Sequence, residues 1–369
     1  MKKCLVTGAN GFLGKHMLLC LEQAGHEVVP YHHSDGDDIL ECCCKECDAV
    51  FHFAGVNRPK ESEEYETGNA GFTGKLVRML NKVGNACQVI FASSIQAEQD
   101  NPYGRSKHRA EEILLKYAEK TGADVRIFRL PNVFGKWGRP NYNSAIATFC
   151  YNQVRGLPIV VHDESRLMEL VYVDDVMAEF LRALEMKSGT MNHYAEVSIV
   201  YRKALGEIAS MIRSFGEYRS TLGIPDQSDD FSRKLYSTYL SYLPMENLSF
   251  PLHMHIDDRG SFTEFMRTMG QGQFSVNVAH PHVVKGNHWH HTKHEKFLVV
   301  SGEGVIRLRM LGDEKVAVYH VSGKKLEVVE IPPGCAHNIE NTGEEDMVTL
   351  MWANENYDSE KPDTWRMEV

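Results

Sequence analysis

Three features that would place this chain in a broad class of protein are missing from it. It has no run of about 18 uninterrupted apolar residues, which a membrane-spanning helix needs, and Gly8 and Gly11 interrupt the apolar start before it reaches signal-peptide length. No block of like charge is long enough to form an arm or tail, and a net charge of −10 disfavours binding to nucleic-acid phosphates. We therefore expect a cytoplasmic protein that binds neither membranes nor nucleic acids.

The chain also lacks a disulfide framework. Its nine cysteines are an odd number, and a chain of 369 residues is far longer than the small secreted domains that depend on disulfides. The run Cys42, Cys43, Cys44 with Cys47 could suggest a metal site, but no second Cys/His pair stands at zinc-finger distance. The sequence thus predicts free thiols in a reducing compartment.

The remaining residues form two regions with different periodicity. Up to about Ser188, β-rich segments alternate with amphipathic helical stretches, which is typical of a parallel sheet with helices on both faces. The predicted strands of this region are Lys3–Thr7, Glu27–Tyr31, Ala49–Phe53, Gln88–Ala92 and Val125–Leu130. All but the second precede a helical pattern. Beyond about Phe250, short strands separated by glycine indicate an all-β sandwich or barrel. We predict an α/β Rossmann-like doubly wound domain with a substrate lobe at 1–249 and an all-β domain at 250–369.

The first candidate site follows the first strand. Gly8, Gly11 and Gly14 stand between that strand and a predicted helix, where small residues let backbone amides approach a pyrophosphate at the positive end of the helix. About 20 residues on, where an Asp or Glu would select NAD, the sequence has His32 and His33. An imidazole tolerates a 2′-phosphate better than a carboxylate does, so the pattern favours NADPH.

A possible proton donor lies further along the same region. Tyr103 and Lys107 are four residues apart at the start of the predicted helix 103–120, so they share a face. A free tyrosine has a pKa of about 10, and a neighbouring ammonium stabilises the phenolate, which allows proton exchange with an alkoxide near neutral pH. Ser94, at the end of the preceding strand, can hydrogen-bond the same oxygen.

Five motifs over about residues 1–245 occur in the order and spacing of the extended short-chain dehydrogenases. They are Thr7-Gly8-x-x-Gly11-Phe12-x-Gly14, His52-x-Ala54-Gly55, Ser93-Ser94, Tyr103-x-x-x-Lys107 and Arg129-x-x-Asn132-Val133-Phe134-Gly135. The resemblance implies a catalytic triad of Ser94, Tyr103 and Lys107 and a nucleotide-linked sugar at Asn132. The residues that it implies for NADPH are Gly8, Asn10, Gly11, Phe12, Leu13, Gly14, His32, Ala54 and Lys107. Ile95 and Gln96 stand where nucleotide-sugar 4,6-dehydratases carry an acidic pair, which argues against dehydration.

A second candidate site lies in the all-β region. His288 and His290 are two residues apart, which on a strand places both imidazoles on one face. Glu295 follows, and His337 comes after the turn Pro332-Pro333-Gly334. Three imidazoles and one carboxylate suit a divalent ion such as Zn²⁺, with Mn, Fe or Ni as alternatives, and leave positions open to water or substrate.

Two stretches around these residues resemble the two motifs of metal-binding cupin barrels. They are Gly286-x-His288-x-His290-x(4)-Glu295-x(6)-Gly302 and Pro332-x-Gly334-x-x-His337-x-x-x-Asn341. Gly286-x-His288 is also similar to metal-free nucleotide-sugar 3,5-epimerases, in which that histidine removes a proton next to a ketone. A ligated imidazole cannot act as a base, so the fuller metal pattern makes His288 a ligand. His291, Lys293 and His294 are then the candidate bases.

A 4-keto sugar would unite the two sites, because its carbonyl acidifies the C3 hydrogen and later accepts hydride at C4. In length and domain order the whole chain resembles bifunctional capsular polysaccharide enzymes of the UDP-N-acetyl-L-fucosamine pathway. That resemblance implies C3 epimerisation of a UDP-2-acetamido-2,6-dideoxy-4-hexulose by the cupin, then reduction by NADPH to the L-talose derivative. Two alternatives stay open: a reductase whose cupin is structural and dimerising, and a metal centre with oxygen chemistry. A homodimer is expected, since exposed barrel edges often pair.

Overall fold

The computed structural model describes residues 1–186, 193–268 and 272–369. The chain divides into two compact units: Met1–Arg213 with Lys234–Leu243, and Ser214–Arg233 with Pro244–Val369. The predicted end of the first region, Ser188, lies outside the described residues, and the division at residue 250 stays a prediction. Within the described residues, no helix combines the length and apolar character needed to cross a membrane.

Helices and strands follow one another in a regular order along the first two-thirds of the chain. The helices are α1 (Phe12–Gln23), α2 (Asp37–Glu46), α3 (Glu63–Tyr65), α4 (Phe72–Val83), α5 (Pro102–Thr121), α6 (Ala145–Gln153), α7 (Val173–Glu185), α8 (Leu205–Phe215), α9 (Tyr218–Thr221) and α10 (Asp230–Leu240). The strands up to the last of these helices are β1 (Lys3–Thr7), β2 (Glu27–Tyr31), β3 (Ala49–His52), β4 (Gln88–Ser94), β5 (Val125–Leu130), β6 (Asn132–Phe134), β7 (Leu167–Tyr172), β8 (Tyr194–Ala195), β9 (Tyr201–Ala204) and β10 (Gly223–Ile224).

The first unit contains a parallel sheet with helices on both faces. Its strand order is β2-β1-β3-β4-β5-β8, and neighbouring strands are parallel. On one face Leu5 and Val50 share a core with Leu114 of α5, and on the other Phe51 shares a core with Phe180 of α7. The central strands are continuously apolar because both of their faces are covered. A smaller sheet, β6-β7-β9, accompanies it. The predicted Rossmann-like fold is confirmed.

Helix α2 corrects one prediction, because the second strand was expected to lack a following helix. Leu40, Cys43 and Cys44 form the buried stripe of α2 and belong to the core beneath the sheet. Cysteines stand where aliphatic residues would make the helical period plain, and a buried free cysteine behaves as a small apolar residue. All nine cysteines lie in the described part of the chain and are free, as predicted.

The second unit is all-β apart from short helical segments. Its strands after β10 are β11 (His255–Asp257), β12 (Gly260–Thr268), β13 (Gly272–Ala279), β14 (Val284–Trp289), β15 (Glu295–Ser301), β16 (Glu303–Met310), β17 (Ala317–Ser322), β18 (Val328–Ile331), β19 (Cys335–Asn341), β20 (Met347–Ala353) and β21 (Trp365–Arg366). One sheet has the order β10-β12-β13-β20-β15-β18, with β11 on β12, and the other has the order β17-β16-β19-β14-β21. Side chains of both sheets, among them Phe297, Ile306, Ile339 and Met347, share one core. The predicted all-β character is confirmed.

Candidate functional sites

The turn between β1 and α1 borders a cavity of about 590 Å³ in the first unit. Predicted site residues that line it are Gly8, Asn10, Gly11, Phe12, Leu13, Gly14, Ser94, Tyr103, Lys107 and Asn132. His32 and Ala54, which were predicted to contact the dinucleotide, are not among its lining residues. His32 directly follows β2, and Ala54 lies just beyond the end of β3. The structure thus brings most of the predicted reductase residues to one cavity.

The glycines of the turn are needed for close backbone packing. A Cβ on Gly8, whose φ is +70°, would lie 2.7 Å from the amide nitrogen of Ala54. A Cβ on Gly14 would overlap the carbonyl oxygen of Gly8. Because both positions exclude a side chain, the backbone at the start of α1 stays open toward the cavity, as a pyrophosphate site requires. Ala54 therefore supports the turn from beneath.

Helix α5 is placed so that its first turns meet the end of β4. Asn101 caps the helix by accepting the amide of Gly104 at 2.8 Å, and Pro102 occupies a position in its first turn where no amide donor is needed. A Cβ on Gly104 would overlap the carbonyl oxygens of Gln96 and Gln99, so the helix packs tightly on the turn after β4. Tyr103, near the start of this helix, thereby borders the same cavity as Ser94.

Burial sets the protonation states of the tyrosine and the lysine. It raises the pKa of Tyr103 to about 12, against the opposing effect of the Ser94 hydroxyl. It lowers the pKa of Lys107 to about 8, against the opposing effect of Glu111. The phenol pKa thus lies above its ordinary value, and the lowering expected from the ammonium is not observed. A protonated phenol at neutral pH is the form that a proton donor to an alkoxide requires.

A buried carboxylate behind this pair was not found from the sequence. Glu111, one helical turn after Lys107, is fully buried and accepts hydrogen bonds from Ser93, from Arg129 Nη2 at 2.7 Å and from the Tyr194 hydroxyl at 3.1 Å. The network ties α5 to β4 and β5, the strand ends that border the cavity. Its sequence signal was the spacing of four residues from Lys107, which places Glu111 on the same buried face.

The second unit brings together the four predicted metal ligands. His288 on β14, His290 just after it, Glu295 at the start of β15 and His337 on β19 each offer one ligand atom, and these atoms lie within 4.8 Å of one another. His288 and His337 are register partners across the β14–β19 ladder, next to a bulge at Gly286, and their ring centroids are 4.5 Å apart. The fold therefore brings residues of the two cupin-like motifs, which are far apart in the sequence, into one cluster.

The donor atoms in this cluster fit a divalent cation. Nε2 of His290 and Nε2 of His337 lie 3.3 and 3.2 Å from Oε2 of Glu295, and all three atoms are buried without a hydrogen-bond partner among the described residues. Nδ1 of His290 contacts the carbonyl oxygen of Asp363, and Nδ1 of His337 lies 3.2 Å from that of Cys335. Donation from Nδ1 leaves the Nε2 lone pairs directed at the centre, as in histidine ligands of metals.

The charges of the cluster also favour a bound divalent cation. Burial lowers the pKa of His288 to about 4, which leaves it neutral and able to donate a lone pair. Burial of Glu295 would raise its pKa, but the neighbouring imidazoles of His290 and His337 outweigh that effect and hold the pKa well below its usual range. Burial would lower the pKa of His290, but contact with Glu295 raises that pKa. The cluster therefore favours a positive charge beside this carboxylate, which a metal ion would supply.

The three candidate bases lie between His290 and Glu295 in the chain and are not among the four clustered residues. His291 is exposed, with its ring centroid 4.4 Å from that of Trp289, and His294 lies against Trp352 at 5.3 Å. Lys293 is buried. The structure therefore leaves the choice among them open.

Comparisons with known proteins cover the whole chain. Residues 4–195 match the NAD dependent epimerase/dehydratase family and residues 255–365 the polysaccharide biosynthesis C-terminal domain. The chain is 44% identical over 368 residues to UDP-2-acetamido-2,6-beta-L-arabino-hexul-4-ose reductase of Pseudomonas aeruginosa, covering 100% of this chain and 99% of that protein. A crystal structure of capsular polysaccharide assembling protein CapF from Staphylococcus aureus is 47% identical, covers 99% of this chain and 100% of its own, and has a TM-score of 0.93.

More distant structures resemble the first unit in fold alone. UDP-glucuronic acid 4-epimerase from Bacillus cereus in complex with NAD is 18% identical, covers 65% of this chain and 96% of its own, and has a TM-score of 0.56. Its agreement with this chain extends to the Rossmann-like architecture and carries no information on substrate.

Proposed function

Because the chain belongs to the NAD dependent epimerase/dehydratase family and, over its full length, to the family that includes CapF, we propose that it is a bifunctional nucleotide-sugar enzyme. A cupin at residues 250–369 inverts C3 of a UDP-2-acetamido-2,6-dideoxy-4-hexulose. The domain at residues 1–249 then reduces the C4 ketone with NADPH to UDP-2-acetamido-2,6-dideoxy-L-talose. The name of the Pseudomonas aeruginosa relative, a 4-ulose reductase, supports the second step.

The observation that carries the reductase assignment is the cavity shared by Ser94, Tyr103 and Lys107 with the glycine turn. NADPH held along Gly8, Gly11 and Gly14 would supply the hydride that adds to the C4 carbonyl carbon. The protonated Tyr103 donates its hydroxyl proton to the oxygen that becomes an alkoxide, and Ser94 orients that oxygen. Lys107, one turn further along α5, provides positive charge beside the resulting phenolate. Asn132 borders the same cavity, and in this proposal it contacts the sugar nucleotide.

The preference for NADPH is supported at the end of β2. The carboxylate of Asp35 accepts the backbone amide of His32 at 2.7 Å, and the Tyr31 hydroxyl donates to the Asp35 carbonyl at 3.0 Å. Oδ2 of Asp35 is therefore engaged within its own turn, which disfavours Asp35 as the carboxylate that selects NAD. His32 stands at the position where a 2′-phosphate would be read.

The epimerase assignment depends on the four-residue cluster. A divalent cation such as Zn²⁺ would supply positive charge there, which would polarise the C4 carbonyl and acidify C3. His288, His290, Glu295 and His337 would hold it. A base must remove the C3 proton, and a proton must then return to the opposite face of C3. Lys293, His291 and His294 are the candidate bases. Epimerisation must come first, because reduction removes the ketone that acidifies C3.

A single NMR experiment tests both steps. The full-length protein loaded with Zn²⁺ is mixed with the 4-keto UDP-sugar in D₂O, first without NADPH and then with it. We expect deuterium at C3 before NADPH is added and a C4 alcohol afterwards. Reduction without prior exchange would favour a monofunctional reductase with a structural, dimerising cupin. Oxygen uptake would favour metal–oxygen chemistry. Absence of NADPH oxidation with keto-sugars would refute the reductase. We also propose a homodimer, which light scattering would test.

A further inference from the structure

The C-terminal tail reaches the proposed metal centre through Asp363. Strand β21 pairs with β14, with Trp365 opposite Trp289, and the two indole centroids are 6.3 Å apart. The amide of Met367 donates to the carbonyl of Asn287 at 2.9 Å. This pairing places Asp363, two residues before β21, against the loop 291–293 that joins β14 to β15.

The carboxylate of Asp363 accepts successive backbone amides of that loop. Oδ1 accepts the amide of His291 at 2.9 Å, and Oδ2 accepts those of Thr292 at 2.8 Å and Lys293 at 3.1 Å. The Thr292 hydroxyl also lies 3.2 Å from Oδ2. Charge-assisted bonds from three amides to one carboxylate hold the loop in a single backbone conformation.

The main chain of the same residue orients a proposed ligand. Nδ1 of His290 contacts the carbonyl oxygen of Asp363, and the His290 side chain is only 3% exposed. Donation from Nδ1 selects the tautomer whose lone pair is on Nε2, the atom that faces Glu295. Asp363 thus contacts the loop 291–293 through its carboxylate and His290 through its carbonyl. The position of the carbonyl therefore depends on the hydrogen bonds between the carboxylate and the loop.

We propose that Asp363 is a positioning residue of the metal centre. Its carboxylate fixes the loop between β14 and β15, and its carbonyl fixes the ring orientation and tautomer of His290 for binding a divalent cation. This inference rests on the metal site of the proposed function. Partners in the outer shell of a metal site typically change metal affinity by roughly 10- to 100-fold.

The test is titration of full-length apo protein with Zn²⁺ against a chromophoric chelator. Asp363→Ala is expected to raise the Kd for Zn²⁺ by roughly 10- to 100-fold. Asp363→Asn, which keeps one acceptor oxygen, is expected to raise it less. The control is Asp358→Ala, because Asp358 lies in the same tail and accepts the local amide of Glu360 at 2.9 Å. With Co²⁺ as the probe, Asp363→Ala is expected to alter the visible absorption of the bound ion.

The outcomes distinguish a positioning role of Asp363 from a merely structural role and from the absence of a metal centre. Equal Zn²⁺ affinity of wild type and Asp363→Ala, or an unchanged Co²⁺ spectrum, would overturn the inference while leaving the metal site in place. The unfolding temperature of Asp363→Ala can also be compared with that of wild type, once without metal and once with Zn²⁺. An equal fall in both forms would show a merely structural role for Asp363 and would also overturn the inference. If Asp363→Ala does not fold, Asp363→Asn gives the same comparison. Failure of the wild type to bind Zn²⁺ would instead overturn the metal centre itself.

Discussion

Replacing Lys107 with methionine is expected to stabilise the first unit and to slow reduction strongly. The lysine is only 6% exposed, and its Nζ lies 4.4 Å from the centroid of the Phe91 ring. Burial lowers the pKa of Lys107 to about 8 from an ordinary value of 10.5, despite the opposing effect of Glu111. The folded protein therefore holds an ammonium in a place that disfavours its charge.

The size of the effect follows from two opposing contributions. A lowering from 10.5 to about 8 corresponds to about 3 kcal/mol of unfavourable free energy in the folded state at pH 7. Methionine removes that cost but also removes the hydrogen bond from Nζ to the Ala92 carbonyl, which is 2.7 Å long and contributes about 1 kcal/mol. The variant should thus be more stable by about 2 kcal/mol at pH 7.

The difference should depend on pH in a defined direction. Between pH 8 and 10.5 the unfolded chain binds the Lys107 proton more readily than the folded chain, so wild-type stability rises across that window. The variant lacks this rise, and its advantage shrinks toward pH 10.5. Reduction should fall by about 10²- to 10⁴-fold at neutral pH, because the phenolate loses its neighbouring charge.

Calorimetry of the full-length protein at several pH values measures the stability, and NADPH consumption with the 4-keto UDP-sugar measures the activity. Lys116→Met is the control, because Lys116 lies on the same helix but is exposed, and it should change neither quantity. A Lys107→Met protein less stable than wild type at pH 7 would refute the reasoning. So would a stability difference that stays the same from pH 7 to pH 10.

Three other substitutions separate the proposed sites. Tyr103→Phe should lower NADPH consumption by about 10²- to 10⁴-fold and leave deuterium exchange at C3 intact by NMR, and loss of both activities in a folded variant would contradict independent sites. His290→Ala should lose the bound metal by elemental analysis, whereas an unchanged metal content would exclude the proposed ligand set. Glu111→Ala should destabilise the first unit by about 3 kcal/mol because it leaves Arg129 without its buried partner. A loss below about 1 kcal/mol on urea unfolding would show that this network is not a buried ion pair of the usual strength.

The fold could be predicted largely because its signals are local. The helix expected over 103–120 is observed as Pro102–Thr121, and the strand expected over Val125–Leu130 is observed with those bounds. The spacing of apolar residues that distinguishes helices from strands involves residues close together in the chain, so it can be recognised from the sequence. Helix α2 was missed because cysteines occupy its buried stripe. The helical spacing of apolar residues was therefore not recognised from the sequence, although these cysteines pack in the core.

The sequence by itself determined the chemistry available: a phenol and an ammonium one helical turn apart, and imidazoles and a carboxylate at ligand spacing. Only the tertiary structure decided the environment of those groups. Burial raises the pKa of Tyr103 above its ordinary value, and Asp363, 72 residues after His291, holds the loop beside the proposed metal ligands. Desolvation and hydrogen bonds between distant segments depend on which surfaces pack together. The local spacing of residues in the sequence does not show which surfaces these are.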